Sequence, residues 1–259
     1  MKILVLLKMV PDVVEELEVA ADGTSLDRGF LRLIISERDE NALEQALILK
    51  ERHQGTVVVV VAPEAPEVDD VLYTALARGA DRAIKVTGVA EGLGSRASAA
   101  LLAATLPTVA DLLPVDLVLT GCQAIDDLDG LVGPLVAEHM GMPYVGIVTG
   151  VDGSASGVVR LSREYPGGLR GRFEVDLPAV VGIQGAEKPP RYVPIAKVRV
   201  AMASGKIESI PAASDAEAPL LDVLEMRKPV VAERAEMIEG DPDEIATRIC
   251  EILAGRGLL

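Results

Sequence analysis

Residues 115–130 read VDLVLTGCQAIDDLDG, in which an apolar run leads into a polar loop with a glycine at each end. Residues 115–120 are typical of a buried strand, and residues 128–140 have the apolar spacing of a helix that ends at Gly141. A loop that leaves a parallel strand and enters a helix is where α/β proteins commonly bind ligands. This stretch therefore indicates both a fold class and a candidate site.

The same alternation of strand-like and helix-like segments fills the first half of the chain. Apolar runs predict further strands at residues 2–7, 31–35, 56–61 and 82–86. Helices are predicted at residues 39–53, 68–78 and 95–113, with Pro107 as a possible break in the last one. A β-α-β-α order of this kind predicts an α/β fold with a doubly wound, mostly parallel sheet.

The rhythm of the sequence changes from residue 144 onward. Shorter strands, expected to form a hairpin added to the sheet edge, are predicted at residues 145–151, 158–163 and 171–175. Residues 178–183 predict one more strand, and residues 210–230 have no clean period and predict an extended arm. We therefore expect an α/β domain over residues 1–205 and a C-terminal arm with a helix over residues 206–259.

The C-terminal helix has well-defined start signals. Asp241 can cap it, Pro242 suits its first position, and Glu244 completes a capping-box spacing. An amphipathic helix this short is marginal in water alone, so it needs a surface to pack on. Its own domain and a partner subunit are the two candidates.

Composition excludes several function classes. A formal net charge of −15 argues against nucleic acid as a partner, because phosphate binding requires clustered Lys and Arg. No apolar run approaches the roughly 20 residues that span a bilayer, so the chain is not expected to be membrane-spanning. Two cysteines, Cys122 and Cys250, provide neither a disulfide framework nor a metal cluster, and a reducing cytoplasmic location fits them.

The chemistry of residues 121–130 favours an anionic ligand but leaves a plainer alternative open. Unpaired N–H groups at the start of a helix attract phosphate, and Gly121 and Gly130 let the backbone approach a ligand closely. Gln123 offers a donor and an acceptor, and carboxylates suit ribose hydroxyls if they point away from phosphate. The loop matches neither the Walker A nor the dinucleotide glycine pattern, so a capped, solvated turn is the alternative.

Several motifs in order along the chain resemble those of the electron transfer flavoprotein beta subunit. GCQAIDDLDG resembles the nucleotide loop of that family, and the likeness extends over nearly the whole sequence. The other matching stretches are KILVLLKMVPD (2–12), DENALEQALILKE (39–51), YTALARGADRAIKV (73–86), SREYPGGLRGRFEVDLPAVVG (162–182) and EKPPRYVPIAKV (187–198).

The resemblance implies a flavodoxin/Rossmann-like, adenine-nucleotide-binding domain paired with a larger alpha subunit that holds most of the FAD. This chain would hold AMP or, in electron-bifurcating members that oxidise NADH, a second FAD. The implied nucleotide contacts are Leu6, Ser36, Glu37, Arg38, Asp39, Ala62, Gly121, Cys122, Gln123, Ala124, Ile125, Asp126, Asp127, Leu128, Asp129, Gly130, Leu131 and Val132. Implied electron partners are dehydrogenases as donors and a membrane quinone oxidoreductase or another protein as acceptor.

The resemblance also implies two protein-facing sites. A loop that docks dehydrogenases would comprise Arg191, Tyr192, Val193, Pro194, Ile195, Ala196, Lys197 and Val198, with Ile195 as its aliphatic anchor rimmed by Arg191 and Lys197. Arg163 and Glu164 match a charged pair that lies toward the mobile flavin domain. Cys122 stands where the family usually has a basic residue, whereas residues 131–134 (LVGP) are more similar to the bifurcating type. A stand-alone adenine-nucleotide sensor is the alternative from another functional class.

Overall fold

The computed structural model of the protein describes residues 1–29, 31–90, 92–153, 157–213, 223–229, 235 and 237–259. Within these residues the strands are β1 (Lys2–Leu6), β2 (Met9–Pro11), β3 (Leu33–Ile35), β4 (Val57–Pro63), β5 (Arg82–Thr87), β6 (Leu117–Gly121), β7 (Tyr144–Gly153), β8 (Val158–Tyr165), β9 (Leu169–Asp176), β10 (Ala179–Ile183) and β11 (Ile207–Pro211). The α-helices are α1 (Glu37–Arg52), α2 (Val68–Arg78), α3 (Ser95–Thr105), α4 (Val132–Met140), α5 (Ile195–Ser204) and α6 (Pro242–Gly255). The helix predicted over residues 95–113 is shorter than expected, because Pro107 lies in a 3₁₀ turn, Leu106–Thr108, that ends it.

The large sheet confirms the predicted doubly wound α/β fold. Its strand order is β11-β5-β4-β1-β6-β10-β7-β8-β9, and every pairing from β11 to β7 is parallel. The chain passes from β1 through α1 to β4 and β5, then returns through α3 to β6 on the other side of β1. The strand order therefore reverses between β1 and β6, which is where such sheets bind ligands beyond the strand ends.

Alternating side chains of the central strands build one apolar layer on each face of the sheet. Ile3 and Val5 of β1 pack with residues of α1 and α2, whereas Leu4 and Leu6 pack with residues of α3 and α4. Residues 58–61 of β4 alternate in the same way and are all buried. A strand buried on both faces needs apolar residues at every position, which explains the uninterrupted valine run.

A small antiparallel sheet of β2 and β3 lies outside the large one. The sequence predicts a strand at residues 31–35, and that strand is present as β3, but its partner is β2. The Ser36 N–H donates to the Lys8 carbonyl at 2.9 Å, so the small sheet brings the start of α1 beside the end of β1. This pairing sets the position of α1 relative to the candidate site.

The three strands predicted at residues 145–151, 158–163 and 171–175 are present as β7, β8 and β9. β7 pairs in parallel with β10 and antiparallel with β8, and β9 pairs antiparallel with β8. Gly167 and Gly168, with φ of 78° and 75°, turn the chain between β8 and β9. The three strands therefore extend the parallel sheet as an antiparallel edge whose outer strand is largely exposed.

The C-terminal part begins with a strand that was not predicted. Residues 207–211 were expected to begin the arm, but they form β11, which pairs in parallel with β5. Residues 214–222, 230–234 and 236 of the expected arm and its continuation lie outside the described residues. The capping box of α6 is confirmed, with Asp241 accepting from the Glu244 N–H at 3.0 Å and Glu244 accepting from the Asp241 N–H at 3.1 Å. No helix in the described part of the chain is long and apolar enough to cross a membrane.

Candidate functional site

A pocket lies at the C-terminal edge of the sheet, where the strand order reverses between β1 and β6. Its walls come from the ends of β1, β4 and β6, from α3, and from the segment that leads into α4. The apolar lining residues are Leu6, Leu7, Pro63, Leu102, Ala124, Leu131 and Val132. The polar lining residues are Lys8, Asp39, Ser98, Thr120, Gln123 and Asp127. Apolar walls with a few polar groups are typical of small-molecule sites.

The carboxylates of residues 121–130, called the aspartate loop below, have partners within the protein. Lys8 Nζ donates to Asp126 Oδ1 and to Asp127 Oδ2, both at 2.7 Å. The Ser95 hydroxyl, at the start of α3, lies 2.9 Å from Asp129 Oδ1 and 3.2 Å from Asp127 Oδ2, and its one proton is shared between these two acceptors. Burial lowers the pKa of Lys8, but its hydrogen bonds to the two aspartates outweigh burial, and the pKa is raised. The acidic side chains therefore fasten the loop to β1 and α3, and their charge is partly neutralised there.

Asp39 ties the first turn of α1 to the ends of β1 and β6. Its Oδ1 accepts the Gly121 N–H at 2.6 Å, and its Oδ2 accepts the Lys8 N–H at 2.8 Å. Burial raises the pKa of Asp39 to about 7, although the two N–H donors and the Lys8 charge favour the carboxylate. The Asp39 side chain thus fixes the point from which the aspartate loop starts.

Two glycines allow the aspartate loop to fold closely onto itself. Gly130 has φ of 63°, and a Cβ at this position would lie 2.6 Å from the Cys122 carbonyl oxygen. A Cβ at Gly121 would lie 2.6 Å from Asp39 Oδ1. Neither position accepts a side chain without moving its neighbours.

Unpaired polar groups lie in the residues that line the pocket, and the backbone N–H groups among them fit a phosphorylated ligand. Thr120 Oγ1 is buried and has no hydrogen-bond partner among the described residues. Within the same residues, the Gly130 and Val132 N–H groups donate to no acceptor, and no side chain caps the start of α4. Free N–H groups at a helix start, beside an apolar wall, suit the phosphate and the less polar part of an adenine nucleotide.

The structure brings many of the predicted nucleotide contacts together around this pocket. Those that line it are Leu6, Asp39, Gly121, Gln123, Ala124, Asp127, Gly130, Leu131 and Val132. Those that do not line it, although they belong to the same strand ends, loop and helix start, are Ser36, Glu37, Arg38, Ala62, Cys122, Ile125, Asp126, Leu128 and Asp129. Sequence reasoning missed Lys8 and Ser95. The sequence signal that could have identified Lys8 is the position of a lysine just after the first strand in a chain that also has an acidic loop.

Cys122 is a packing residue in this arrangement. It is buried, and its thiol donates to Gln184 Oε1 at 2.9 Å. Burial raises the pKa of the Cys122 thiol, which keeps it protonated and unreactive. In the described ranges, no group of three or more His, Cys, Asp or Glu side chains could hold a metal ion.

Residues 191–198, called the docking segment below, turn apolar side chains toward solvent. Tyr192 is 83% exposed and Ile195, the first residue of α5, is 67% exposed. Arg191 was expected on the rim of this surface, but its guanidinium is turned onto α1. It donates from Nη2 to Glu44 Oε1 at 2.8 Å and from Nη1 to Glu51 Oε1 at 2.6 Å.

Arg163 and Glu164, expected to face a flavin domain, lie near the end of β8. Glu164 pairs with Arg170 of β9 at 3.0 Å. The Arg163 guanidinium lies 5.0 Å from the centre of the Tyr165 ring, and its Nε is buried without a hydrogen-bond partner among the described residues. Glu164 therefore has a partner within the chain, whereas Arg163 keeps an unused donor.

Comparisons with known proteins match nearly the whole chain to proteins of one family. The family model described as "Electron transfer flavoprotein domain" matches residues 29–215. The "Electron transfer flavoprotein subunit beta" of Methylophilus methylotrophus is 32% identical over 266 aligned positions, covering 98% of each chain. The protein of the same name from Syntrophomonas wolfei is 34% identical and covers 97% of this chain and 95% of its own. The "Caffeyl-CoA reductase-Etf complex subunit CarD" of Acetobacterium woodii is 34% identical over 75% of this chain and 72% of its own.

Proposed function

The chain belongs to the electron transfer flavoprotein family, among relatives named as its beta subunits, and from this premise we propose that it is the small subunit of a heterodimeric electron carrier. In this proposal a larger alpha subunit binds most of the redox flavin. Dehydrogenases supply the electrons, and a quinone oxidoreductase or another acceptor receives them.

The pocket between β1 and β6 is proposed to hold an adenine nucleotide, either AMP or a second FAD. The observation that carries this assignment is that the N–H groups of Gly130 and Val132, two residues that line the pocket, donate to no acceptor in the described part of the chain. The N–H groups would hold phosphate at the start of α4, and the apolar wall would cover the less polar part of the ligand.

The residues of this chain would bind and orient the nucleotide without making or breaking bonds. Asp39 fixes the start of the aspartate loop, and Lys8 and Ser95 hold its carboxylates by hydrogen bonds. A bound flavin supplies the electron-transfer chemistry, so the chain is proposed to be a carrier subunit and not an enzyme.

The exposed apolar surfaces suit protein partners. Tyr192 and Ile195 of the docking segment are proposed to contact dehydrogenases, with Ile195 as the anchor. Helix α6 has no buried residue, and its Ile249 and Ile252 are 44% and 38% exposed. This helix, with the rest of residues 206–259, is proposed to pack on the alpha subunit.

An electron-bifurcating role is the second candidate, in which the pocket holds FAD and NADH is the electron donor. Two observations favour it. Residues 131–134 (LVGP) are similar to the bifurcating type, and one relative is named as a subunit of a caffeyl-CoA reductase complex.

The deciding experiment is to co-express the chain with its alpha subunit, purify the complex and identify the released nucleotides by mass spectrometry. We expect a yellow heterodimer with one FAD and one AMP per complex. Two FAD per complex would instead support the bifurcating role. A colourless homodimer that retains ATP would contradict both and would support a stand-alone nucleotide sensor.

A further inference from the structure

We propose that Glu44 and Arg191 position the docking segment, and that the Arg191 guanidinium does not itself form part of the surface that touches the dehydrogenase. This inference rests on the proposed function of the docking segment. The preceding strand, β10, ends at Ile183, so contacts other than the sheet must fix the direction of the exposed side chains.

Glu44 lies in the middle of α1 and is only 3% exposed. Its carboxylate accepts the backbone N–H of Arg191 at 3.0 Å, the Nε donor at 2.9 and 3.0 Å, and Nη2 at 2.8 Å. A planar guanidinium that binds a carboxylate through two nitrogens has little rotational freedom. Because the backbone N–H binds the same carboxylate, the main chain is fixed immediately before Tyr192.

The residues that precede Arg191 are held along α1 in the same way. The Ala186 N–H donates to Asn41 Oδ1 at 3.0 Å, and the Glu187 N–H donates to Gln45 Oε1 at 3.1 Å. Arg52 Nη2 also binds the Glu187 carboxylate at 2.6 Å. Residues 186–191 thus follow α1, and the Glu44–Arg191 contact is the last of this series.

Beyond Arg191 the polar side-chain contacts to α1 end. Within the described residues, the side chains of residues 192–198 make no hydrogen bond or ion pair, and only local turn and helix bonds of the backbone follow, such as the Lys197 N–H to the Pro194 carbonyl at 2.9 Å. The anchor at Arg191 therefore fixes the docking segment at its N-terminal end, immediately before Tyr192, whereas the other end of the segment begins α5, which packs on α2. A buried carboxylate without its cation is costly, which makes the Glu44–Arg191 pair a firm anchor.

The test uses Glu44→Gln in the complete heterodimer. Glu44 is buried, so a partner cannot touch it, and any effect on docking must pass through the position of the segment or through the freed Arg191 guanidinium. Arg191 remains present and becomes freer to contact a partner. The matched control is Glu51→Gln, which removes the exposed carboxylate from the same guanidinium, and Ile195→Ala tests the segment directly.

The readouts are steady-state reduction of the heterodimer by a purified dehydrogenase that reduces the wild type, and hydrogen exchange of residues 192–198. We expect Glu44→Gln to raise the KM for the heterodimer about five- to tenfold, since one displaced anchor contact is worth roughly that factor. The kcat and the flavin content should stay unchanged, and exchange at residues 192–198 should become about tenfold faster. Glu51→Gln should change the KM by less than about twofold.

The outcomes separate this inference from the proposed function. If Ile195→Ala raises the KM and Glu44→Gln does not, positioning by Glu44 is wrong while the docking assignment stands. If Glu44→Gln lowers the KM, Arg191 is a direct contact, which also overturns the inference. If Ile195→Ala and Glu44→Gln both leave the KM unchanged, the docking assignment itself fails. Unchanged exchange at residues 192–198 in Glu44→Gln overturns the positioning role whatever the kinetics show.

Discussion

The aspartate loop and the docking segment are both fastened to α1, and in both the charged residues bind partners within the protein. In the aspartate loop, Asp126 and Asp127 bind Lys8 and leave backbone N–H groups free in the pocket. In the docking segment, Arg191 binds Glu44 and leaves apolar side chains in solvent. The charges hold the loops in place, and the groups available to a ligand are neutral.

The difference between the two regions lies in what they offer to a ligand. The aspartate loop offers N–H groups at a helix start, which suit a small anion. The docking segment offers an aromatic and an aliphatic side chain, which suit a protein surface. Gln184, which precedes the docking segment in the chain, contacts the aspartate loop, because its side chain accepts the Cys122 thiol at 2.9 Å. Variants on the loop side therefore test whether the regions act independently.

The largest effect is expected from Asp39→Ala. This change leaves the Lys8 and Gly121 N–H groups without an acceptor, and two unpaired buried donors should lower the free energy of unfolding by about 3 kcal/mol. Urea titration of the heterodimer measures the loss, and bound nucleotide should fall with it. Asp126→Ala is the control, because a partly exposed carboxylate that shares Lys8 should cost less than about 1 kcal/mol. Equal losses in the two variants would contradict the role of Asp39 as a clamp.

The pH dependence of stability should show the burial of Asp39 directly. Its pKa is raised to about 7 in the folded protein, so the folded state binds a proton more tightly than the unfolded state between about pH 4 and pH 7. The free energy of unfolding should therefore fall as pH rises through this window, by at most about 1.4 kcal/mol per pH unit. Asp39→Asn should lack this contribution.

Comparison of the two proteins isolates Asp39, because both keep Glu187 and Glu208, whose pKa values are lowered by hydrogen bonds to their arginine partners. Urea titrations at pH 4, 5, 6 and 7 give the two curves. Parallel curves would show that Asp39 titrates as an ordinary exposed carboxyl. Hydrogen exchange at residues 192–198 should be the same in both proteins if the docking segment is independent of the loop.

The sheet was largely predictable from the sequence, because strands buried on both faces leave uninterrupted apolar runs such as residues 58–61. The partners of short strands were not predictable. Three residues of β3 carry too little pattern to distinguish pairing with β2 from pairing in the large sheet. β11 was not predictable as a strand, because residues 207–211 (IESIP) do not alternate between apolar and polar residues and end in a proline.

The sequence predicted which loop forms the candidate site but did not predict the ion pairs of that loop. GCQAIDDLDG gave the location, whereas nothing in the sequence shows that Lys8 lies between Asp126 and Asp127, more than a hundred residues away. Arg191 was placed on the docking surface because its neighbours belong there. Its carboxylate partner, Glu44, is one of several polar residues of α1, with Asn41 and Gln45, and nothing in the sequence distinguishes it as the partner of Arg191.

Gly130→Ala should have an intermediate effect and should act on the loop alone. A side chain at φ of 63° costs about 1 kcal/mol, and its Cβ would also meet the Cys122 carbonyl oxygen, for a total of about 2 kcal/mol. Gly141→Ala is the matched control, since Gly141 has φ of 64° but no atom within 4 Å of the added Cβ. Nucleotide per heterodimer should fall only in Gly130→Ala, and the KM for the dehydrogenase should stay unchanged in both. A nucleotide loss in Gly141→Ala of the same size would mean that strain, and not the close approach, governs the pocket.

The smallest effect on stability is expected from Lys8→Met, which distinguishes shielding of the carboxylates from direct contact with the phosphate. Lys8 is partly exposed, so its loss should lower the free energy of unfolding by only about 1 kcal/mol. Asp126 and Asp127 would then lose their cation beside the pocket, and nucleotide affinity, measured by calorimetry, should fall several-fold at low salt and recover as salt screens the repulsion. Lys85→Met, which breaks the Lys85–Asp69 pair elsewhere on the sheet, should leave affinity unchanged.

Adding Asp126→Asn to Lys8→Met decides between the two roles of the lysine. If Lys8 only neutralises the loop, removal of the Asp126 charge restores most of the nucleotide affinity. The remaining carboxylate, Asp127, keeps its hydrogen bond from Ser95. If Lys8 itself holds the phosphate, the double variant binds as weakly as Lys8→Met. Restored affinity would show that Lys8 acts in the aspartate loop as Arg191 is inferred to act in the docking segment. In both cases the charged residue positions the groups that contact the ligand and does not contact the ligand itself.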